Sequence, residues 1–279
     1  MSLLSGVQLH PRNAGEALKS LELVTERLRA KADPRAVFPD VYGIITRTVA
    51  REIEANTGFF LEPEWISRLA GRFCERYLET LSWSQRGTQQ DCRAWGLSYG
   101  LESQGLTFPL QDAAFGISAH VNYDLALGMW KTIEDFGDLS EQKMARYKHD
   151  HDAVNTLLAA ALPEVMTCLR ERYSCAVTER FTGKLMPVTG AMAMSVVRSW
   201  REQVWLDVLA LVFAQSPHAQ AQVLTRIHQR SGRWADLFAL GSLAGCAWRA
   251  LSGQAPATPP AHTLSPRLRI VEQRIGSRC

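Results

Sequence analysis

Helical periodicity runs through nearly the whole sequence, and this feature most constrains the fold. Apolar residues recur three or four positions apart in segment after segment, and we find no convincing run of strand alternation. The sequence therefore predicts an all-α protein, a single bundle of roughly eight to ten helices around a central apolar helix. The predicted helices are 13–32, 38–55, 63–81, 91–98, 109–136, 140–161, 164–181, 191–214 and 218–251.

Prolines, glycines and polar clusters indicate the boundaries of these helices and the domain organisation. Pro163 is expected to end the sixth helix, and Ser231-Gly232 to break the last one. The turn-rich segment 82–107 is predicted to be a loop that holds only the short helix. We expect residues 1–251 to form one α-helical domain, and residues 252–279 to be a flexible or loosely docked tail.

Composition and charge exclude several classes of protein. With 46% apolar and 21% charged residues, the chain does not have the composition of a disordered protein. A net charge of +3 argues against a nucleic-acid partner, and six scattered cysteines without a Cys-x-x-Cys pair argue against a zinc ribbon or a disulfide scaffold. The longest apolar run, 204–214, is too short for a membrane span, and the N-terminus does not look like a secretory signal. We therefore expect a cytoplasmic protein without a membrane span, whose oligomeric state the sequence leaves open.

The predicted helix 109–136 is apolar nearly all round, which is typical of a central helix, yet it carries two ionisable residues. His120 and Asp124 are four positions apart and therefore lie on one face. Gly116 and Gly128, one turn to either side, would leave room for a close neighbour or a ligand. The pair is either a buried hydrogen-bonded pair that fixes the packing, or a catalytic or metal-binding pair.

Two further predicted helices also place ionisable or polar residues on their apolar sides. A charge in such a position must be paired, neutralised or functional. Convergence of three such helices predicts a polar pocket inside the bundle, where helical folds usually build their sites. The residues concerned are Asp150, His151 and Asn155 in 140–161, and Arg198 and Glu202 with Arg201 at the border in 191–214.

Additional contacts to a ligand are expected from two other regions. Tyr42 and Thr46 are four apart on the apolar side of the second helix and could reach the same interior. Trp95 lies in the predicted loop, where it would line the mouth of the pocket. Together with Arg201 and Glu202, Tyr42 and Trp95 are the candidate substrate-binding residues.

The segment 116–125, Gly-Ile-Ser-Ala-His-Val-Asn-Tyr-Asp-Leu, resembles the core signature of a bacterial domain-of-unknown-function family, Gly-Ile-x-Ala-His-Ile-Asn-x-Asp-Leu. The resemblance spans roughly residues 35–215. It implies an α-helical domain and supports the interest in His120, Asp124, Asp150 and Asn155, but it supplies no reaction. The His-x-x-x-Asp spacing is also similar to that of the metal-binding helices of the zinc-dependent phospholipase C group, which use many more His and Asp ligands.

These residues support two versions of an enzyme that acts on a small apolar molecule. In the acid/base version Asp124 orients His120, which moves a proton, while Arg198 holds an anionic group of the substrate. In the metal version His120, Asp124, Asp150 and His151 hold a divalent metal, Zn²⁺ or Fe²⁺.

Hydrolysis, cyclisation and isomerisation are all compatible with this site, and a role in natural-product biosynthesis would suit it. One alternative is a non-catalytic module that binds an apolar ligand or a partner helix. The other is a polar core network that only specifies the bundle.

Overall fold

The structure is a computed structural model that describes residues 3–86, 92–173 and 186–251. Within those ranges the protein is all-α and contains no strand, as the periodicity predicts. The predicted tail 252–279 and the end of the predicted helix 164–181 lie outside the described residues. The helices are α1 (Ala14–Ala30), α2 (Val37–Ala55), α3 (Pro63–Arg86), α4 (Arg93–Ser103), α5 (Pro109–Ala119), α6 (Leu125–Phe136), α7 (Glu141–Arg172), α8 (Met186–Val212) and α9 (Pro217–Leu251).

Local sequence signals explain several of the helix ends. The Asn13 side chain accepts the N–H of Glu16 and caps the start of α1. Gly137 has a φ of 73° and ends α6 in the left-handed conformation that glycine adopts without strain. Asn56 plays the same part after α2, with a φ of 45°.

Two predicted helix breaks are wrong. Helix α7 continues through Pro163, and α9 continues through Ser231 and Gly232. Proline removes the hydrogen bond to the carbonyl group four residues earlier. Ala159, whose carbonyl group loses that bond, is exposed, so water can replace it and the helix does not need to end.

The predicted loop 82–107 is shorter than expected, although the short helix predicted at 91–98 is confirmed as α4. Helix α3 runs on to Arg86, and α4 covers Arg93–Ser103. The glycines at 96 and 100 lie inside α4 and do not interrupt it, because a glycine in a helix is unfavourable by only about 1 kcal/mol.

The segment 109–136 forms the centre of the bundle, as its apolar character predicts. Helix α5 packs on α2, α4 and α9, and α6 packs on α3 and α8. One core cluster contains residues from each of the helices α1 through α5 and includes Leu21, Tyr77 and Phe115. A second cluster lies among α3, α6, α7 and α8 and includes Trp65 and Met129. The central segment contributes to both clusters, so it holds the two halves of the core together.

One described helix, α7, is long and apolar enough to cross a membrane, judged by length and composition only. One such helix is weak evidence for a membrane span, and 22% of its most apolar window is buried within the described structure. Here α7 packs against α2 and α8 and buries Asp150 and His151 between them and α3.

Candidate functional site

The central segment is not one continuous α-helix, because a π-helical turn, His120–Asp124, separates α5 from α6. At its end the N–H of Leu125 donates to the carbonyl oxygen of His120, five residues earlier. This pattern adds one residue to the turn and makes it wider than an α-helical turn. Single π-helical turns occur often at functional sites. The sequence places His120 and Asp124 on one face, but it does not predict the turn that brings them together.

His120 and Asp124 form a hydrogen-bonded pair in the protein interior. The distance between His120 Nδ1 and Asp124 Oδ2 is 2.8 Å, and their side chains are 3% and 0% exposed. The same oxygen accepts the indole N–H of Trp95 at 2.9 Å. Because Oδ2 of Asp124 accepts from both Trp95 and His120, the neutral imidazole carries its proton on Nδ1. Its Nε2 atom therefore has a free lone pair.

Burial determines the protonation state of His120. It lowers the pKa of the imidazole, although the carboxylate of Asp124 acts in the opposite direction. The ring is therefore neutral near pH 7. Its Nε2 atom is buried and has no hydrogen-bond partner within the described part of the chain. An acceptor in this position is available to a ligand.

Aromatic rings fix the orientation of the imidazole. Phe73 stacks on it face to face, with the ring centroids 3.4 Å apart and the planes at 8°. Tyr42 meets it edge-on, with the centroids 4.5 Å apart. A ring packed in this way cannot turn, so Nε2 keeps one direction. The rings of this aromatic cage are Phe38, Tyr42, Phe73, Tyr77 and Trp95.

Gly116 is required by the cage, as the sequence predicts. A Cβ at this position would lie 2.3 Å from Cδ2 of Phe38, well inside van der Waals contact. At Gly128 an added Cβ would only make ordinary contact, 3.6 Å from the backbone nitrogen of Phe73. Of the two glycines, Gly116 therefore admits the close neighbour.

His120 lines a partly open cavity of about 190 Å³ between α2, α3, α7, α8 and the π-helical turn. Most of its wall is aliphatic. A cavity that is mainly apolar and has a few convergent polar groups is the usual form of a small-molecule site. The polar residues in the wall are Tyr42, Thr46, His120, His151 and Arg201. The predicted approach of Tyr42 and Thr46 to this interior is confirmed.

His151 and Arg201, which also line the cavity, are hydrogen-bonded to each other. Nη2 of Arg201 donates to the carbonyl oxygen of His151 and, at 3.2 Å, to its Nδ1. His151 Nε2 donates to the carbonyl oxygen of Arg201 at 3.0 Å. Burial, and next the charge of Arg201, lower the pKa of His151 well below its usual value. His151 is therefore neutral, and both of its ring nitrogens are occupied by Arg201.

The predicted inward direction of Arg198 and Glu202 is wrong. Both are exposed, and Glu202 accepts a hydrogen bond from Lys148 at 2.9 Å. The buried stripe of α8 instead comprises Arg201 and the residues at 204, 205, 208 and 211. The sequence prediction based this stripe on Trp205, Leu209, Val212 and Phe213. Trp205 is buried as expected, but Phe213 is 49% exposed. Three residues turn a helix by about 300°, so Arg201 lies about 60° round the helix from Arg198 and takes the inward position expected of Arg198.

Two other candidates have structural surroundings different from those expected. Asp150 is fully buried, but its carboxylate accepts the N–H groups of Leu61 at 2.8 Å and Glu62 at 2.6 Å. It thus stabilises the start of α3 from a neighbouring helix. Asn155 is half-buried, and its Oδ1 has no partner among the described residues. Neither side chain is in the wall of the cavity.

The expected position of Trp95 at the pocket mouth is also wrong. Trp95 lies in α4, is 1% exposed and donates to Asp124. It supports the histidine from behind and does not line the cavity.

The four predicted metal ligands do not come together. In the described ranges there is no group of three or more His, Cys, Asp or Glu side chains that could hold a metal ion. Asp150 is bound to backbone amides, and both ring nitrogens of His151 are bound to Arg201. Only His120 and Asp124 remain close together, which is fewer protein ligands than zinc sites use.

A second, larger groove of about 820 Å³ lies between α1, α2 and α7, but most of its charged groups are paired. Asp40 accepts from Arg172 at 3.0 Å, and Arg47 donates to Glu22 at 3.1 Å. Internal pairing of this kind is typical of a solvated surface groove. The smaller cavity at His120 is the candidate site because it has an unpartnered, buried acceptor.

The candidate site contains one residue that sequence reasoning missed. Phe38 packs on His120 with the ring centroids 5.4 Å apart. A signal for it was present, since Phe38, Tyr42 and Thr46 are each four positions apart and so share one face of α2.

The comparisons with known proteins identify a family but no activity. No curated protein and no solved structure matches the chain significantly. The model of a family of unknown function, DUF5995, matches residues 14–240, which is most of the chain and includes the whole candidate site. The helical bundle with the His120–Asp124 pair at its centre therefore belongs to the DUF5995 family of unknown function.

Proposed function

We propose that this protein is an enzyme that transfers a proton to and from a small apolar substrate, with His120 as the general base. The observation that carries the proposal is the state of His120. Its Nδ1 is held by Asp124, its ring is neutral, and its Nε2 is a buried acceptor without a protein partner in the described residues, in a side chain that lines an apolar cavity.

The surroundings of His120 suit each step of such a transfer. Nε2 would take a proton from the bound substrate, which makes the ring an imidazolium. The carboxylate of Asp124, 2.8 Å from Nδ1, stabilises that charge and keeps the reactive tautomer in place. The imidazolium then returns the proton to another atom of the same substrate. This sequence converts one isomer into another, or closes a ring, without any added reactant.

The chemistry of the cavity favours isomerisation or cyclisation over hydrolysis. Its wall is mostly aliphatic, so it would exclude water and strengthen the interaction between His120 and Asp124. The metal-dependent version is not retained, because the side chains around His120 supply too few ligands. A tailoring step in specialised metabolism remains part of the proposal as one setting for such a reaction.

The ring-opening elimination of 5-nitrobenzisoxazole tests for a base in an apolar pocket without knowledge of the natural substrate. The base removes the proton on the ring carbon, the N–O bond breaks, and a coloured cyanophenolate forms. A positioned general base contributes about 10²- to 10⁴-fold. We therefore expect His120→Ala to lower the rate by at least about tenfold. The exposed His218 gives the matched control, and His218→Ala should keep the wild-type rate.

The pH dependence gives an independent readout from the same assay. Because burial lowers the pKa of His120, the rate should reach its plateau below the pH at which free imidazole does. A wild-type rate no higher than that of free imidazole would contradict the proposal. So would an unchanged rate in a folded His120→Ala variant, and the binding module or the core network would then be the better description.

A further inference from the structure

The guanidinium of Arg201 is a buried positive charge at the edge of an apolar cavity. The residue is 6% exposed and lies in the cavity wall together with His151 and aliphatic side chains. Burial lowers the pKa of Arg201 to about 10, so it remains a cation near pH 7. A charge in such surroundings is costly unless an opposite charge accompanies it.

No acid side chain within the described ranges forms an ion pair with Arg201. The acids that attract it most are Asp152 and Glu202, but both bind Lys148, at 2.6 Å and 2.9 Å. Its neighbour His151 is neutral and accepts from Nη2 only. Nε of Arg201 is buried and without a hydrogen-bond partner among the residues described. In the described part of the chain the guanidinium therefore has an unused donor, its Nε–H, and no counter-ion.

We propose that the substrate of this cavity is a small apolar carboxylic acid whose carboxylate pairs with Arg201. The inference builds on the proposed function, because it names the substrate class of the same site. A guanidinium presents its N–H donors as a planar fork that matches the two oxygens of a carboxylate. His151 holds Nη2 from the other side and thereby fixes the direction of this fork.

The rest of the cavity restricts the size and polarity of the acid outside its carboxylate. Apart from the groups already named, the wall is aliphatic or aromatic, and it provides no second cluster of charges for a phosphate or a sugar. A volume of about 190 Å³ is close to the roughly 150 Å³ that accommodates one benzene ring. The acid therefore carries a single aromatic ring or an alkyl chain of moderate length.

Partly exposed wall residues on α7 and α8 point to an entrance between these two helices. The partly exposed residues Leu158, Met194 and Val197 belong to the cavity wall. Next to them Met192 and Val196 are 65% and 41% exposed. An apolar rim of this kind favours entry of an apolar molecule and disfavours a strongly hydrated one.

Binding of octanoate and octanol, measured by titration calorimetry, separates the charge from the alkyl chain. The wild-type protein should bind octanoate at least about tenfold more tightly than octanol, since only octanoate supplies the missing counter-ion. Arg201→Met should remove this preference while it keeps the binding of octanol. Arg198 lies one turn earlier on the same helix and is exposed, so Arg198→Met is the control and should bind octanoate as the wild type does.

Each outcome of this titration decides the inference. Equal binding of the two ligands, or a preference for octanoate that survives Arg201→Met, would overturn it. If Arg201→Met does not fold, the comparison in the wild type still decides, as does a shift of the Arg201 Nε–H signal in the NMR spectrum on addition of octanoate.

The elimination of 5-nitrobenzisoxazole is a separate readout, because that probe has no carboxylate. Selective octanoate binding with a His120-independent elimination rate would refute the catalytic role alone. A His120-dependent elimination rate without octanoate selectivity would refute the substrate class alone.

Discussion

Replacement of Gly116 by alanine tests how rigid the aromatic cage around His120 is. A Cβ at this position would lie 2.3 Å from Cδ2 and 2.7 Å from Cβ of Phe38, whereas carbon atoms in contact lie about 3.5–4.0 Å apart. Phe38 cannot turn away, because its ring packs on His120 and Trp95 with the centroids 5.4 Å and 5.3 Å apart. The ring or helix α5 must therefore move by about 1 Å.

The free energy of unfolding should fall accordingly. Overpacking of a well-packed core costs about 1–3 kcal/mol and occasionally more, and the helix propensity of alanine returns up to about 1 kcal/mol. We expect a net loss of about 2 kcal/mol for Gly116→Ala, which corresponds to a Tm lower by about 4–8 °C. Gly43, also buried in a helix, has open space where its Cβ would be, so Gly43→Ala should raise the stability by up to about 1 kcal/mol.

Urea denaturation followed by circular dichroism measures both variants. The near-ultraviolet spectrum reports whether the aromatic cage is disturbed in the folded state. Equal stability changes in the two variants would refute the reasoning, because they would show that Phe38 moves freely and that the cage does not hold the imidazole in one orientation.

Three further predictions concern buried carboxyl groups, each measured by urea denaturation. Burial raises the pKa of Glu102 and Asp112, so these groups ionise at lower pH in the unfolded chain than in the folded protein, and the free energy of unfolding should fall as the pH rises from about 4.3 to the raised folded-state pKa values. Glu102→Gln should reduce this fall. A Glu102→Gln variant with the wild-type pH profile would contradict the prediction. Asp150→Asn should cost about 1–2 kcal/mol, because an amide oxygen accepts only one of the two N–H groups at the start of α3, and no loss would refute this role. Asp207→Asn should lower the free energy of unfolding by about 3 kcal/mol, since it leaves Arg230 without its buried charged partner. The control Asp138→Asn, on the surface, should lower it by less than about 0.5 kcal/mol.

The sequence predicts the fold class and the chemical pair at the centre of the site. The periodicity of apolar residues is enough to predict the helices, because each helix must bury an apolar stripe. The apolar character of 109–136 on all sides is enough to place that segment at the centre. The spacing of His120 and Asp124 gives their shared face. Each of these inferences depends only on residues that are close together in the sequence.

The remaining parts of the site depend on contacts between helices, which a local pattern does not contain. On α8 the apolar residues extend round much of the helix, so the composition does not distinguish a stripe through Arg201 from one through Arg198. Asp150 lies on a buried face of α7 in the sequence prediction and in the structure alike. Its carboxylate accepts two backbone N–H groups only because the start of α3 lies next to it, and the sequence does not contain that position. Trp95 follows a turn-rich segment, and tertiary packing extends the helix around it.

The π-helical turn limits the length of the central segment. Deletion of one residue between His120 and Asp124 would restore regular α-helical winding, and insertion of another would widen the turn further. After the deletion α6 would keep nearly its present orientation, because four residues at about 100° each turn the chain about as far as five residues in the wider turn. An insertion that the turn does not absorb would rotate every residue of α6 by about 100° relative to α5. Because α6 contributes to one half of the core and α5 to the other, such a rotation would expose part of one of them. Protein engineering of this bundle can therefore shorten the turn by one residue more readily than it can lengthen it.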